Sequence, residues 1–421
     1  MIKLLIISDD FTGALDTGVQ FASNGAATYV MVDSQINYKN IASNVEVVVI
    51  DAETRHLNKE EAYKTVFSIV SEAVKIGIPY IYKKTDSVLR GNIGAELTAM
   101  LQASGSKYIH FIPAFPKMGR TTEGGIQYVN GVPLSQSVFG QDPFEPVRHS
   151  DIKKIIASQC ETEVNIMGTQ INELSSSADG ILVYDSVCNE DIENIATGLM
   201  EKDEMHIIAG CAGFASILPK LLKIGGERPL VPEIKANMLV ACGSVNPVSV
   251  AQCNDAESKG TPRFRLSPEQ KLSPDWAESC DADAFIDNLN ASCEKNPMVI
   301  LDTNDMENGE NTTITAKKRG ITSTEMRTKI TSVMGLLLEK LIDKGFDGTI
   351  LIMGGDSFIG FIRQAGIKLV SPICEMDCGV VLSQLKYKEK TLNVISKSGG
   401  FGKEMLFSDL SEMLSKLNEG K

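Results

Sequence analysis

Short apolar runs that stop at a polar or glycine-bearing turn, each turn opening a helical pattern, recur along this chain. The first, residues 4–7 (LLII), enters Asp9-Asp10-Phe11-Thr12-Gly13. A wholly apolar run of this length reads as a strand covered on both faces, the mark of a parallel sheet. Residues 29–32 and 45–50 read the same way. Between them and the next run, residues 59–75 carry Ala62, Val66, Ile69 and Ala73 on one stripe and stop at Gly77-Ile78-Pro79, the pattern of an amphipathic helix. Strand and helix in alternation imply parallel sheets with crossover helices.

A chain of 421 residues is too long for one ordinary core. Residues 229–233 turn polar and proline-bearing, and a fresh apolar run starts at Met238, so the expected domains are 1–235 and 236–421. The fold class expected is two α/β domains with mainly parallel sheets.

Turns at strand ends are where α/β proteins keep ligand sites. The densest is YIYKKTDSVLRGNIGAEL, residues 80–97, where an apolar run ends in Lys83 and Lys84 and is followed by Asp86, Ser87, Arg90 and Asn92 around Gly91. Arginine there suits a carboxylate or phosphate, and aspartate accepts from hydroxyls. The alternative is a surface ion-pair cluster. Asp9 and Asp10, with Thr12 as the expected N-cap, could complement a helix dipole, bind sugar hydroxyls, hold a magnesium ion or act as a base. Asp51-Ala52-Glu53-Thr54-Arg55 adds a third polar cluster on the same sheet edge.

Further on, residues 107–112 read as a strand. The stretch PAFPKMGRTTEGGIQYVNGVPL reads as a long ordered loop, with Lys117, Arg120 and Thr121 as candidate anion contacts. After Asp142-Pro143 the alternation resumes, with strands at 181–184 and 207–209. In the second half, residues 238–242 lead into Gly243-Ser244-Val245-Asn246-Pro247. Residues 304–319 read as a mobile loop, and Thr322-Ser-Thr-Glu325 as a capping box. Residues 349–353 lead into Gly354-Gly355-Asp356-Ser357, with a helix from Phe358, and 392–395 lead into Ser396-Lys397-Ser398-Gly399-Gly400-Phe401-Gly402. Such turns can offer backbone N–H groups to phosphates, with Lys397 adding charge. Neither is a Walker A loop or a GxGxxG fingerprint, and tight turns kept for packing are the competing reading.

Composition narrows the partners. A formal net charge of -13 with no basic block argues against nucleic acid. The nine cysteines form no CxxC pair and lie far in sequence from the four histidines, so they read as reduced thiols of a cytoplasmic protein without a zinc site. The N-terminus lacks a signal-peptide pattern, and no apolar run approaches about 18 residues, so no membrane span is expected.

Taken together and in order, SDDFTGALD, YKKTDSVLRGNIGAEL, IPAFPKMGRTTEGGIQYVNGVPL, GSVNPVS, MGGDS and SKSGGFG resemble the motifs of the four-carbon acid sugar kinase family, across nearly the whole chain. Phe11, Val88 and Ser357 depart from the usual residues, as does the 375–379 segment, which lacks a proline-glycine pair. The resemblance implies an acid-sugar-binding N-terminal domain and an ATP-binding C-terminal domain with the reaction in the interdomain cleft. It implies phosphorylation of the terminal hydroxyl of threonate, erythronate or 3-oxo-tetronate, with Mg2+ bridging the phosphates. Carried onto these residues, Arg90, with Arg55 second, clamps the carboxylate. Lys84, Asp86, Ser87 and Asn92 complete the acid site, and Asp10 or Asp9 is the first choice of base, ahead of Asp86 and Asp356. Ser244, Gly354, Gly355, Asp356, Ser357, Lys397, Gly399, Gly400 and Gly402 cradle ATP. The partners implied are small molecules, with neither nucleic acid nor membrane, and a homo-oligomer stays open. The competing readings are a kinase of a larger sugar acid and a non-catalytic sugar-acid sensor. A nicotinamide oxidoreductase lacks its fingerprint in the first βα turn.

Overall fold

The computed structural model describes residues 1–32, 38, 41–141, 146–169, 179–229, 231–232, 234–306 and 309–419. Asp142, Pro143 and Glu233 lie outside them. The chain divides into two compact units, Met1–Pro229 and Leu230–Lys421.

In the first unit the strands are β1 (Leu4–Ser8), β2 (Thr28–Met31), β3 (Val47–Asp51), β4 (Tyr80–Lys84), β5 (Tyr108–Ile112), β6 (Arg120–Glu123), β7 (Ile126–Val129), β8 (Val132–Pro133), β9 (Val164–Ile166), β10 (Gly180–Val183) and β11 (Ile207–Gly210). Its helices are α1 (Phe11–Ala22), α2 (Lys59–Lys75), α3 (Ile93–Ser104), α4 (Ile152–Ala157), α5 (Asn189–Glu201), α6 (Ala212–Ala215) and α7 (Leu218–Leu221). The main sheet runs β2-β3-β1-β4-β11-β5-β10-β9, every pairing parallel. Burial explains the interior place of β1 and β3: every residue of both is buried, and each Val, Leu or Ile so placed contributes roughly 1.5–3 kcal/mol. Helix α2 lays Ala62, Val66, Ile69 and Ala73 on this sheet, capped by Asn58, whose side chain accepts from the Glu61 amide.

Residues 113–134 are not the loop expected from the sequence. They form an antiparallel sheet, β6-β7-β8, with two short 3-10 turns. Gly124-Gly125 and Asn130-Gly131, all at positive φ, supply the tight reversals between its strands. The glycines that looked like loop residues are its hairpin turns.

In the second unit the strands are β12 (Met238–Cys242), β13 (Arg263–Arg265), β14 (Met298–Asp302), β15 (Thr349–Met353), β16 (Leu369–Asp377), β17 (Val380–Tyr387) and β18 (Lys390–Lys397). The helices are α8 (Pro247–Ser258), α9 (Pro268–Lys271), α10 (Pro274–Ala277), α11 (Cys280–Lys295), α12 (Thr312–Lys318), α13 (Ser323–Asp343), α14 (Gly355–Gln364) and α15 (Leu406–Glu419). The order is β13-β14-β12-β15-β18-β17-β16. The first five strands are parallel, and β16, β17 and β18 form an antiparallel meander. Two expectations change here. Residues 304–319 contain α12, capped by Asn311 through the Ile314 amide, and α14 starts at Gly355 rather than at Phe358, with Gly354 at φ 102° as its N-cap. The Thr322–Glu325 capping box is present.

The two units share one wiring. In the first, the chain leaves β1 through α1 to reach β2 on one side, and leaves β3 through α2 to reach β4 on the other. In the second, β12 leads through α8 to β13, and β14 leads through α12 and α13 to β15 across β12. Right-handed crossovers in opposite directions put their helices on opposite faces, which opens a crevice at the strands' carboxyl ends. That crevice lies between β1 and β4 in one unit, and between β12 and β15 in the other.

Candidate active site

Strand register delivers the first cluster. β1 pairs with β4 so that Ser8 stands beside Lys84, and with β3 so that Ser8 stands beside Asp51. The residues that follow each strand therefore meet at one edge. Asp10, not Thr12, caps α1: its Oδ1 accepts from the Gly13 amide at 2.9 Å. Aspartate outcompetes threonine because its carboxylate also complements the helix N-terminus. Gly13 is required by space, since a Cβ there would sit 2.6 Å from Asp10 Oδ1 and 3.0 Å from Lys84 Nζ.

Arg55 ties the aspartates together. Its Nε donates to Asp9 Oδ2 at 2.7 Å, its Nη1 to Asp10 Oδ2 at 2.6 Å, and its Nη2 lies 3.7 Å from Asp86 Oδ1. Arg90 grips Asp86 with a fork, Nε to Oδ2 at 2.8 Å and Nη2 to Oδ1 at 2.9 Å. Lys84 Nζ donates to the Thr85 carbonyl at 2.8 Å. Burial pushes the Asp86 carboxyl up, but Arg90 and Arg55 outweigh it and hold the group far below the usual carboxylate range. Burial acts the same way on Asp9, and Arg55, Lys83 and Lys84 outweigh it there. The Asp10 side chain is 25% exposed, whereas that of Asp9 is 1% exposed. Of the two, Asp10 is the one a solute can reach.

Two expected site residues are engaged structurally. The Asn92 amide donates to the carbonyls of Thr54 and Leu57, both at 2.9 Å, and so ties the turn to the segment after β3. Ser87 presents its carbonyl to Gln127 Nε2 at 3.2 Å, which fastens the β6-β7-β8 sheet to the turn. That sheet also brings in Arg120, one of the candidate anion contacts. Arg120 and Arg90 both lie over the Phe139 ring, at 5.8 and 5.9 Å from its centroid.

The second cluster is made of turns. Cys242 stands beside Met353, and Met353 beside Lys397, so the three glycine turns follow strands that end in register. Ser244 sits at their meeting point: a Cβ on Gly399 would lie 2.6 Å from its hydroxyl, and one on Gly243 would overlap the Ser357 hydroxyl. Helix α8 holds the last turn through Ser249, which donates to Gly399 O at 2.8 Å, and Gln252, which donates to Lys403 O at 2.7 Å. Asn304 donates to Ser244 O at 3.1 Å. Lys397 is buried under the turn, its ammonium donating to Gly399 O at 3.0 Å and to Ser249 Oγ at 3.1 Å. Burial lowers its pKa to about 8. Asp356 is exposed and gripped by Arg327 at 2.7 Å through both oxygens. Among the described residues no three carboxylate, histidine or cysteine side chains gather to hold a metal ion.

Comparison with known proteins matches each unit to a family model. Residues 4–218 match a family model described as a sugar-binding N-terminal domain, and residues 239–407 match one described as a nucleotide-binding C-terminal domain. The chain is 29% identical over 424 residues to a D-threonate kinase of Salmonella typhimurium, covering 97% of both chains. It is 31% identical over 295 residues to a D-erythronate kinase of Heliobacterium modesticaldum, covering 66% of this chain and 65% of that one. It is 24% identical over 446 residues to a 3-oxo-tetronate kinase of Brucella melitensis, covering 98% and 96%. Two crystal structures share the fold, one from Salmonella typhimurium (TM-score 0.79, 21% identity, covering 97% and 99%) and one from Haemophilus influenzae (TM-score 0.71, 22%, covering 97% and 100%). No helix among the described residues is long and apolar enough to cross a membrane. With family models matched along both units and kinases as relatives over its length, the chain belongs to the four-carbon acid sugar kinase family.

Proposed function

We propose that this kinase transfers the γ-phosphoryl group of ATP to the 4-hydroxyl of a four-carbon acid sugar: threonate, erythronate or 3-oxo-tetronate. The observation that carries the reading is the convergence of Asp9, Asp10, Lys84, Asp86, Arg55 and Arg90 at the β1/β4 crevice. An acid sugar needs a cation for its carboxylate and acceptors for its hydroxyls, and this cluster supplies both.

Arg90 is the carboxylate clamp in this reading. Its side chain is 27% exposed, against 9% for Arg55, whose nitrogens already face three aspartates. Arg55 then serves to fix Asp9 and Asp10. Asp86, Lys84, Ser87 and Asn92 surround the acid, Asp86 taking hydroxyl donors. Asp10 takes the proton of the attacking hydroxyl. Phosphoryl transfer asks more for position than for a strong base, because charge builds on the phosphoryl oxygens. The base is therefore the reachable carboxylate with its orientation fixed by Gly13 and Arg55.

In the second unit the backbone amides of Ser244, Gly354 to Ser357 and Gly399 to Gly402 cradle the phosphates, helped by the amide-bearing start of α14, which has no side-chain cap. Lys397 adds positive charge from beneath. Magnesium would come on the nucleotide, its coordination filled by phosphate oxygens and water, since a hard ion with few protein ligands is common at such sites. The expected setting is the cytoplasm.

Acid-dependent release of ADP tests the reading, with magnesium and ATP across a panel of four-carbon acids and of five- and six-carbon aldonates. ADP release driven by one tetronate supports it. Release only with a longer acid would move the substrate.

A further inference from the structure

Beneath the acid site lies an ion pair that the mechanism above does not use. Lys83 Nζ stands 3.0 Å from Glu96 Oε2, and both side chains are wholly buried. Lys83 also donates to the Lys84 carbonyl at 2.9 Å. Glu96 is the lone charged residue of α3, in a segment where Ile93, Ala95, Leu97, Ala99 and Met100 are all buried. Taking two such ions out of water costs several kcal/mol each, and apolar residues of the same volume would often pack as well or better. Stability is therefore a poor reason for the pair.

Its position gives a better one. Ile7 is the parallel partner of Lys83, and residues two apart along a strand share a face. Lys83 and Ile7 thus share one face, and Ser8 and Lys84 lie on the other, where both approach Gly13; Asp9 follows Ser8 just past the strand end, close enough for Lys83 and Glu96 to act on its charge. Asp9 is buried with one carboxylate oxygen, Oδ1, that has no hydrogen-bond partner among the described residues. A buried carboxylate so placed needs a neighbouring cation. The groups that face it are Lys83 and Lys84 from β4, Arg55 from the segment after β3, Asp10 at the start of α1, Asp86 and Arg90 from the turn after β4, and Glu96 from α3. Removing Lys83 leaves the buried carboxylates Asp9 and Glu96 with one cation fewer.

We infer that Lys83 is a positioning residue for the acid site: anchored by Glu96, its buried ammonium keeps the Asp9 carboxylate charged and, through Asp9, holds the Arg55 fork that orients Asp10. The inference rests on the reading of the β1/β4 crevice as the acid site. Lys83 touches no reacting atom. Its charge is among those that hold Asp9 ionised against the effect of burial, and burial and Asp9 both push the Glu96 carboxyl up.

The test compares Glu96→Gln, which keeps the lysine charge, with Lys83→Met/Glu96→Gln, which removes it with little change of volume. Asp9 has a lowered pKa in the folded state, so its contribution to stability is present above its unfolded pKa and is lost as pH falls through the folded value. Without Lys83 that loss begins at higher pH. Two profiles should therefore move together in the double variant relative to Glu96→Gln: the acidic limb of kcat/KM for the acid, and the pH midpoint of acid unfolding. The acidic limb should rise by about one unit, the lower end for losing one opposite charge nearby, and the unfolding midpoint should rise with it by less, because many carboxylates share that transition. If the double variant does not fold, Lys83→Gln in the Glu96→Gln background makes the same comparison. Superimposable profiles would show that Lys83 only fills space and would overturn the inference. Unfolding needs no substrate, so a shifted unfolding midpoint in a protein that phosphorylates no acid would keep the electrostatic link and reject the reading of the site.

Discussion

The two crevices of this molecule are built on one strand permutation and furnished in opposite ways. At β1/β4 the groups gathered at the strand ends are side chains: Arg55 and Arg90 hold Asp9, Asp10 and Asp86 in a network of hydrogen bonds at 2.6–2.9 Å. At β12/β15 they are turns, with Gly399 packed on Ser244 and Gly243 on Ser357 so closely that a methyl group added at either glycine would collide. The difference follows from the ligands each would hold. A small hydroxy acid is told from its isomers by acceptors and cations at fixed points, which side chains supply. A polyphosphate presents many equivalent oxygens, and rows of backbone N–H groups meet them without steric bulk. Wiring sets where a site lies, and the residues after each strand set what it can bind.

Substitutions can break that comparison. The largest effect belongs to Asp10→Asn, which keeps the cap to Gly13 and removes the proton acceptor: turnover should fall at least about a hundredfold. Near-normal turnover in the folded variant would take Asp10 out of the mechanism. Next, Arg90→Gln should raise the Michaelis constant for the acid about tenfold or more, the worth of one charged hydrogen bond, and leave that for ATP unchanged. A change in the ATP constant instead would mean that the charged crevice is not the acid site.

Gly400→Ala is the sharpest probe of the second crevice, because among the described residues a Cβ there meets only Asn246 Nδ2, at 3.5 Å. The fold should be untouched and the ATP constant should rise about fivefold, the effect of crowding a close-packed contact by roughly 1 kcal/mol. An unchanged ATP constant would show that this turn does not cradle phosphate. The smallest effect is a pH dependence. Lys397 is charged below about 8 and neutral above it. The ATP constant should climb about threefold as pH passes through that value, and Lys397→Met should abolish the climb. A climb that persists in the variant would assign it to another group.

Much of this was legible in the sequence, and the reason is local. Apolar runs ending at Ser8, Lys84, Cys242 and Met353 announce buried parallel strands, and the polar or glycine turn after each announces a strand end. What the sequence hid depends on partners distant in the chain. Residues 369–387 alternate weakly and carry Pro372 and two register shifts in β16, so their antiparallel pairing shows only once β18 is in place. Residues 304–319 lack an apolar stripe, yet Asn311 caps a helix there and Asp305 fastens its start through the Thr312 amide. Arg120 shares the Phe139 ring with Arg90 only because residues 113–134 fold as hairpins. Glu96 did leave a trace, as the single charge in an apolar helix following two lysines. Its meaning needed the register of β1 on β4.

The central claim is that a four-carbon acid held at the charged crevice accepts the phosphoryl group of ATP. The most direct measurement is coupled ADP release with magnesium and ATP in the presence of D- and L-threonate, D- and L-erythronate and 3-oxo-tetronates, with 31P and 13C NMR of the product. The account predicts ADP release that depends on one of these acids, and a phosphate ester on C4 that is lost in Asp10→Asn. No acid-dependent release from any of them, in a protein that binds ATP by calorimetry, would contradict it.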